Sequence, residues 1–300
     1  MRMKKRLIVL VFFTACVSTA LAADATVKTN RLPVGAAAGG FTKCIINEKP
    51  TSEDISPDRG TTAAKWFSGQ WYSKMVPLDY YSTTNGVLCI EARGPGESSG
   101  DLVSCPRKWD DVKNAKLPFL PGKDGFYVEF EVSLSDNNPD HFAALWLMPI
   151  EKILGKMPIY EGDPEGMERW MELDVDEAGF GPGLTGTVHN WWGFKYPNYH
   201  HLQNPNNVRR EKLDRTAHNV FGASYDPKTR TVIWWLNGKM QMSATTPYVP
   251  SIAEKQNFYL IMGAQRRSKK IPYKMYVHAV RAFTTPSSEI PAVAYDGERP

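Results

Sequence analysis

The chain has 300 residues, with 36 basic and 32 acidic side chains, a formal net charge of +4 and 42% apolar residues. Four of the basic residues, Arg2, Lys4, Lys5 and Arg6, lie at the very start, so the remainder carries 32 of each sign (36 less 4 against 32). That balance excludes a polybasic nucleic-acid binder, and about 275 residues beyond the start suffice for one domain with a large core.

Met1 to Ala22 reads as a secretory signal. A positive start precedes an apolar run from Leu7 to Val17, and Ala20-Leu21-Ala22 is a small-x-small cleavage site. The run is too short to span a bilayer, so no membrane span is expected. A lipoprotein signal ending at Cys16 is the alternative, carried by Phe13-Thr14-Ala15-Cys16. The protein is therefore expected to be secreted, to the periplasm or the extracellular space. Residues 23–60 are rich in Ala, Gly, Thr and Pro, and are expected to be a poorly ordered or surface-wrapped extension. Residues 61–300 then form the one folded domain. Three cysteines follow the signal, Cys44, Cys89 and Cys105, at spacings that match no zinc site. In an oxidising compartment one pair can bridge, and Cys89 with Cys105 is the expected pair.

From Trp66 onward, short apolar and aromatic runs alternate with turn residues. The runs predict strands at Val87–Ala92, Tyr127–Ser133, Phe142–Leu147, Trp170–Val175, Gly186–Trp192, Asn219–Tyr225, Thr231–Leu236, Phe258–Met262 and Met275–Ala282. Asp226-Pro227-Lys228-Thr229 and Asn237-Gly238 read as hairpin turns, and Ile150–Lys156 as one or two helical turns. So many short strands, without an internal repeat, predict an all-β sandwich.

One run carries the chemistry. Trp170-Met171-Glu172-Leu173-Asp174-Val175-Asp176-Glu177 holds four carboxylates within six residues. Period-two alternation places Glu172 and Asp174 on one face and Leu173 and Val175 on the other. Like charges on one face of a strand repel, so such a face implies a use. In a regular strand Asp176 joins that face and Glu177 turns away. With a bulge near Val175-Asp176, Glu177 joins it instead. Two glutamates with an aspartate between them suit retaining glycoside hydrolysis, which needs a nucleophilic carboxylate and an acid/base carboxyl about 5 Å apart. A calcium site and a solvated acidic edge are the competing readings. Trp170 shares the carboxylate face by alternation, and His189 lies one strand later, followed by Trp191 and Trp192. These four are the expected substrate contacts, because a tryptophan face stacks on the apolar face of a pyranose. One of Trp191 and Trp192 must face away. Trp146, Trp234 and Trp235 sit in apolar runs and read as core. Tyr196–Asn207 reads as a polar binding loop in which the adjacent His200 and His201 point apart.

Glu172-Leu173-Asp174-Val175-Asp176-Glu177 resembles the E-[ILV]-D-x-x-E signature of glycoside hydrolase family 16, in its bulged form. Other segments resemble the family in order. They are Gly125-Phe126-Tyr127-Val128-Glu129-Phe130-Glu131 with Phe142-Ala143-Ala144-Leu145-Trp146-Leu147-Met148-Pro149, then Thr187-Val188-His189, then His218-Asn219-Val220-Phe221-Gly222 with Trp234-Trp235-Leu236-Asn237-Gly238-Lys239. The resemblance runs from Trp66 to Phe283. Met171 before Glu172 and Asn237 before Gly238 depart from the common pattern. The resemblance implies a concanavalin A-like jelly-roll β-sandwich of two stacked antiparallel sheets, one of them concave and forming a substrate cleft. It implies Glu172 as nucleophile, Glu177 as acid/base and Asp174 as the carboxyl that modulates both. The implied activity is endo-acting cleavage of a polysaccharide, a β-glucan or a galactan, by a monomer that needs no cofactor. Such folds can hold a structural calcium, with no ligands identifiable from the sequence. A lectin-like binding domain and a transglycosylase using the same carboxylates are the alternatives. The runs Arg209-Arg210-Glu211-Lys212 and Arg266-Arg267-Ser268-Lys269-Lys270 read first as solvated loops, and second as a rim for a sulfated or uronic sugar.

Overall fold

The computed structural model describes residues 31–70, 75–94, 100–106, 109–205, 207–266 and 271–290. The signal segment, Cys16 and most of the second basic run lie outside them. Sixteen strands follow in chain order: β1 (Lys43–Glu48), β2 (Phe67–Ser68), β3 (Tyr81–Thr84), β4 (Val87–Ala92), β5 (Gly100–Val103), β6 (Leu120–Pro121), β7 (Phe126–Leu134), β8 (His141–Pro149), β9 (Glu168–Glu177), β10 (Thr187–Gly193), β11 (Tyr199–Gln203), β12 (Asn219–Asp226), β13 (Thr231–Leu236), β14 (Lys239–Ala244), β15 (Asn257–Arg266) and β16 (Tyr273–Thr284). Two short helices, α1 (Val34–Ala38) and α2 (Ile150–Leu154), complete the set used below.

The strands form two antiparallel sheets of eight. One runs β14-β13-β12-β7-β16-β4-β3, with β1 added on β16. The other runs β11-β10-β9-β8-β15-β5-β2, with β6 added on β15. Alternation sorts the side chains of each strand. Val128, Phe130 and Val132 of β7 meet Leu145 and Leu147 of β8 and Leu173 of β9 in the core between the sheets. Burying each such side chain contributes about 1.5–3 kcal/mol. The intervening residues of β8, β9 and β15, among them Ala144, Trp146, Met148, Trp170, Tyr259 and Ile261, build a second apolar layer on the outer face of their sheet. That layer is the floor of the site described below. No helix among the described residues is long and apolar enough to cross a membrane.

Every predicted strand is present, most extended by one or two residues. The ends extend because ladder hydrogen bonds continue past the last apolar side chain. Asn237 (φ +51°) and Gly238 (φ +75°) both adopt the left-handed conformation a tight hairpin requires. Asn237 adds a side-chain bond, its Oδ1 accepting from Val220 N–H at 2.8 Å. Helix α2 stops at Gly155, whose φ of +64° is a left-handed cap.

Of the two alternatives for the extension, poorly ordered or surface-wrapped, residues 31–60 take the second: β1 pairs with β16, and α1 packs on the outer face of the first sheet. Gly35 there lies so close that a Cβ would come 2.3 Å from Tyr127. Small residues read as disorder in the sequence because their role is close approach. Cys89 and Cys105 do not pair, and all three cysteines are free. Leu88 and Ile90 point into the core, so Cys89 points out of the first sheet, whereas Cys105 belongs to the outer layer of the second. The whole sandwich separates the two sulfurs, beyond any disulfide's reach.

Candidate active site

The site is set by one irregularity between β8 and β9. Trp146 faces Asp174 and Leu145 faces Asp176, so Val175 has no partner of its own; Ala144 then faces Glu177. This is a bulge, with two residues of one strand opposite one of the other. Val175 and Asp176 both turn inward and are fully buried. Glu172, Asp174 and Glu177 share the outer face with Trp146 and Ala144. A regular strand would have sent Glu177 into the core.

The inward Asp176 is anchored. Its carboxylate accepts from Arg215 Nη1 at 2.6 Å, Arg215 Nη2 at 3.2 Å and the Thr185 N–H at 3.1 Å. The ladder resumes as Glu177 N–H donates to Thr185 O and Ala178 N–H to Ala143 O. Asp176 therefore serves structure, as the bulged register implies.

On the outer face, His189 sits directly across β10 from Glu172, and its Nε2 lies 3.3 Å from Asp174 Oδ2. Trp191 Nε1 donates to Glu172 Oε2 at 2.9 Å. Burial raises the Glu172 carboxyl; the charges of Asp174 and Glu177 add to this, while His189 and the Trp191 bond oppose it. Burial alone raises Asp174, to about 8. Two adjacent buried carboxyls do not both ionise cheaply, so they share one proton. Glu172 has the Trp191 N–H as a donor, whereas Asp174, the deeper of the two, has only His189 beside it.

This has a consequence for stability. Asp174 unfolded titrates near 4, folded near 8, so between those values the folded state binds more protons than the unfolded one. Stability contributed by the protonated form is full below about pH 4 and is lost as pH rises through about 8. Asp174→Asn cannot lose that proton. The variant is expected to melt higher than the parent at pH 8 and to show a smaller difference at pH 4, by thermal denaturation across that range.

Glu172, Asp174 and His189 also bring three ligand atoms within 4.8 Å of one another. Two carboxylates and an imidazole could hold a small cation. They fall short of the roughly six to eight oxygens that calcium takes, so this cluster does not fit the structural calcium considered from the sequence.

Beside Glu172 the face carries an aromatic wall. Trp191 stacks on Trp170, with centroids 5.6 Å apart and planes at 12°, and Tyr199 meets Trp170 edge-on at 4.8 Å. Lys152 Nζ lies 4.3 Å over the Trp170 ring, bonds Tyr199 Oη at 2.8 Å and pairs with Glu168. A recess of about 590 Å³ opens here, lined by Glu172, Trp170, Trp191, Lys152, Tyr196 and Tyr199 among others.

The predicted contacts thus divide. Trp191 and His189 join the carboxylates. Trp170 faces them but is only 4% exposed, so it is the floor under Trp191 and not an open platform. Trp192 does not join them: it lies on the opposite face, with Val188 and Asn190, and stacks on His200 at 5.9 Å. Strand alternation permits only one of the two tryptophans. His201 points the other way from His200 and tilts over Trp191 at 4.4 Å. Half of the expected loop Tyr196–Asn207 is the edge strand β11, a run too polar to read as a strand. Tyr196 and Tyr199 come from the segment expected to be a binding loop, whereas Lys152 was not foreseen as a site residue. The helical signal at Ile150–Lys156 was the available clue to Lys152.

No family model matches the chain, and no curated protein matches it. Solved structures do. The beta-porphyranase BpGH16B from the human gut bacterium Bacteroides plebeius superposes with a TM-score of 0.53 at 15% identity, over 83% of this chain and 94% of that one. A GlcNAcα1-4Gal releasing endo-β-galactosidase from Clostridium perfringens gives 0.50 at 11% identity, over 86% of this chain and 66% of that one. The chain has the jelly-roll fold of the family 16 glycoside hydrolases. At such identities the likeness is one of fold.

Proposed function

We propose that the protein is a retaining, endo-acting glycoside hydrolase of family 16, exported from the cell, that cleaves a polysaccharide by double displacement. The observation that carries this is the bulge: it brings Glu177 to the same open face as Glu172 and Asp174, beside an aromatic wall. Glu172 attacks the anomeric carbon while Glu177 gives its proton to the departing glycosidic oxygen. Water then attacks the anomeric carbon of the glycosyl-enzyme while Glu177 takes a proton from it, which frees the sugar and restores the Glu172 carboxylate and the Glu177 acid. In this reading Asp174 takes the proton shared by the pair and so keeps the charge on Glu172 available. Trp191 orients Glu172 and offers a face to the sugar.

The test is a panel of laminarin, barley β-glucan, agarose, porphyran and κ-carrageenan, followed by proton NMR on the polysaccharide that is cut. The first product formed should carry the β-anomer, turning to the α/β equilibrium only on standing. Initial α-product rules out double displacement. A lectin-like domain needs none of the three carboxylates in register, and here all three are. Transfer to a sugar instead of water shares the first step, and labelled-acceptor product analysis separates it.

A further inference from the structure

The wall beside Glu172 accounts for one side of the site. The other side, past Glu177, carries features that the mechanism leaves unused. Phe180 lies three residues after Glu177 and is 47% exposed, which is unfavourable for so large an apolar ring in water. Its position is fixed. Gly179 before it has φ +86°, and at Gly181 after it a Cβ would come 2.2 Å from Val208. Both neighbours are therefore held to glycine. The ring meets Phe142 edge-on at 5.6 Å and 79°. Phe142 belongs to the same face of β8 as Ala144 and Trp146, so the Phe pair stands over the carboxylate-bearing face.

Polar groups adjoin it. Gln265 is the cross-strand neighbour of Phe142, and its Nε2 donates to Asp101 Oδ1 at 3.0 Å. Ala144, opposite Glu177, faces Gly263, which in turn faces Asp101. The floor between Glu177 and Asp101 is thus one methyl group and one hydrogen. The Asp101 carboxylate leans over it, since a Cβ on Gly263 would come 2.4 Å from Oδ1. An aromatic platform, a shallow floor and a fixed amide–carboxyl pair are the parts of a sugar subsite.

We propose that Phe180, Phe142 and the Gln265–Asp101 pair bind the leaving-group sugar, a neutral pyranose lying with its apolar face on Phe180 and its hydroxyls towards Gln265 and Asp101. The polarity of the site follows from the reading of Glu172 as nucleophile and Glu177 as acid, on which the proposal rests. The departing oxygen takes its proton from Glu177, so the sugar attached to it lies on the Glu177 side of Glu172. A sulfated or uronic ring there would bring a second anion against Asp101, which disfavours it.

The variant Phe180→Ala removes the platform without touching the carboxylates. It is assayed on whichever polysaccharide of the panel the parent cuts. KM should rise about tenfold, equivalent to about 1.4 kcal/mol. With an oligosaccharide of the same glycan added as acceptor, the ratio of transfer to hydrolysis should fall by a similar factor, because the acceptor occupies the leaving-group position. Phe180→Trp should restore both within about threefold, a rescue that packing alone does not explain, since Phe180 is exposed. Gln265→Leu should lower the transfer ratio as well, and gives an answer even if Phe180→Ala fails to fold. KM and transfer ratios within twofold of the parent in Phe180→Ala, or in Gln265→Leu if that variant must stand alone, overturn the subsite. Cleavage of sulfated glycans alone overturns its neutrality. A parent that cuts none of the panel sinks the proposed function and this inference with it.

Discussion

Glu172→Gln is expected to lower turnover of the cleaved polysaccharide by at least about 10⁴-fold while leaving oligosaccharide binding in place. The amide has the shape of the carboxylate but no charge, and cannot form the glycosyl ester. Its carbonyl oxygen still accepts from Trp191 Nε1, so the indole that lines the recess keeps its orientation. Replacing a carboxylate whose ionisation the site already opposes also removes a source of strain, so the variant should melt no lower than the parent. Reducing-sugar release and isothermal calorimetry, run on the same preparation, give the two readouts. Turnover within tenfold of the parent would remove Glu172 from the mechanism; loss of binding along with turnover would show instead that the face had collapsed.

Arg215→Met should be the most destabilising single change near the site, although Arg215 touches no reacting group. It leaves the buried Asp176 carboxylate without its bidentate partner, and an uncompensated buried charge costs about 3–5 kcal/mol. For a domain of this size that corresponds to a fall in melting temperature of order 10 °C. Activity measured well below that transition should fall too, because Glu177 follows Asp176 directly and depends on the anchored bulge for its aim. The pair Asp176→Leu with Arg215→Met should recover most of the stability, since two apolar side chains fill the volume without stranding a charge. A single Arg215→Met variant with an unchanged melting curve would mean that solvent already reaches Asp176.

The elements that could be read in the sequence were those whose apolar pattern and local chemistry agree. Thr231–Leu236 and its Asn237-Gly238 turn are an example: alternation, β-branched residues and a left-handed turn pair all give the same answer. The carboxylate strand was legible as a strand with two registers, and the residues that select one of them, Thr185 and Arg215, lie 9 and 39 residues along the chain from Asp176. No local pattern ties Arg215 to Asp176; only the fold brings them together. Trp170 was legible as facing the carboxylates, but its burial was not, because Lys152 and Tyr199 that cover it come from α2 and from a polar edge strand. Residues 31–60 left two readings open, poorly ordered or surface-wrapped, because α1 is short and its alanine and glycine content, which suits tight contact with Tyr127 and Trp235, also marks unfolded chain.

The bulge in β9 adds one residue, Val175, to the core face of the strand and none to the outer face. Excising Val175 would leave Glu172, Asp174 and Glu177 at every second position of a regular strand, still side by side, with Asp176 still turned inward. The inherited motif could therefore shrink by one codon and keep its reactive set. The sacrifice would be a valine in the core and the fit between Asp176 and its arginine. Spacing in the text of the gene and adjacency on the molecule are, at this place, independent quantities.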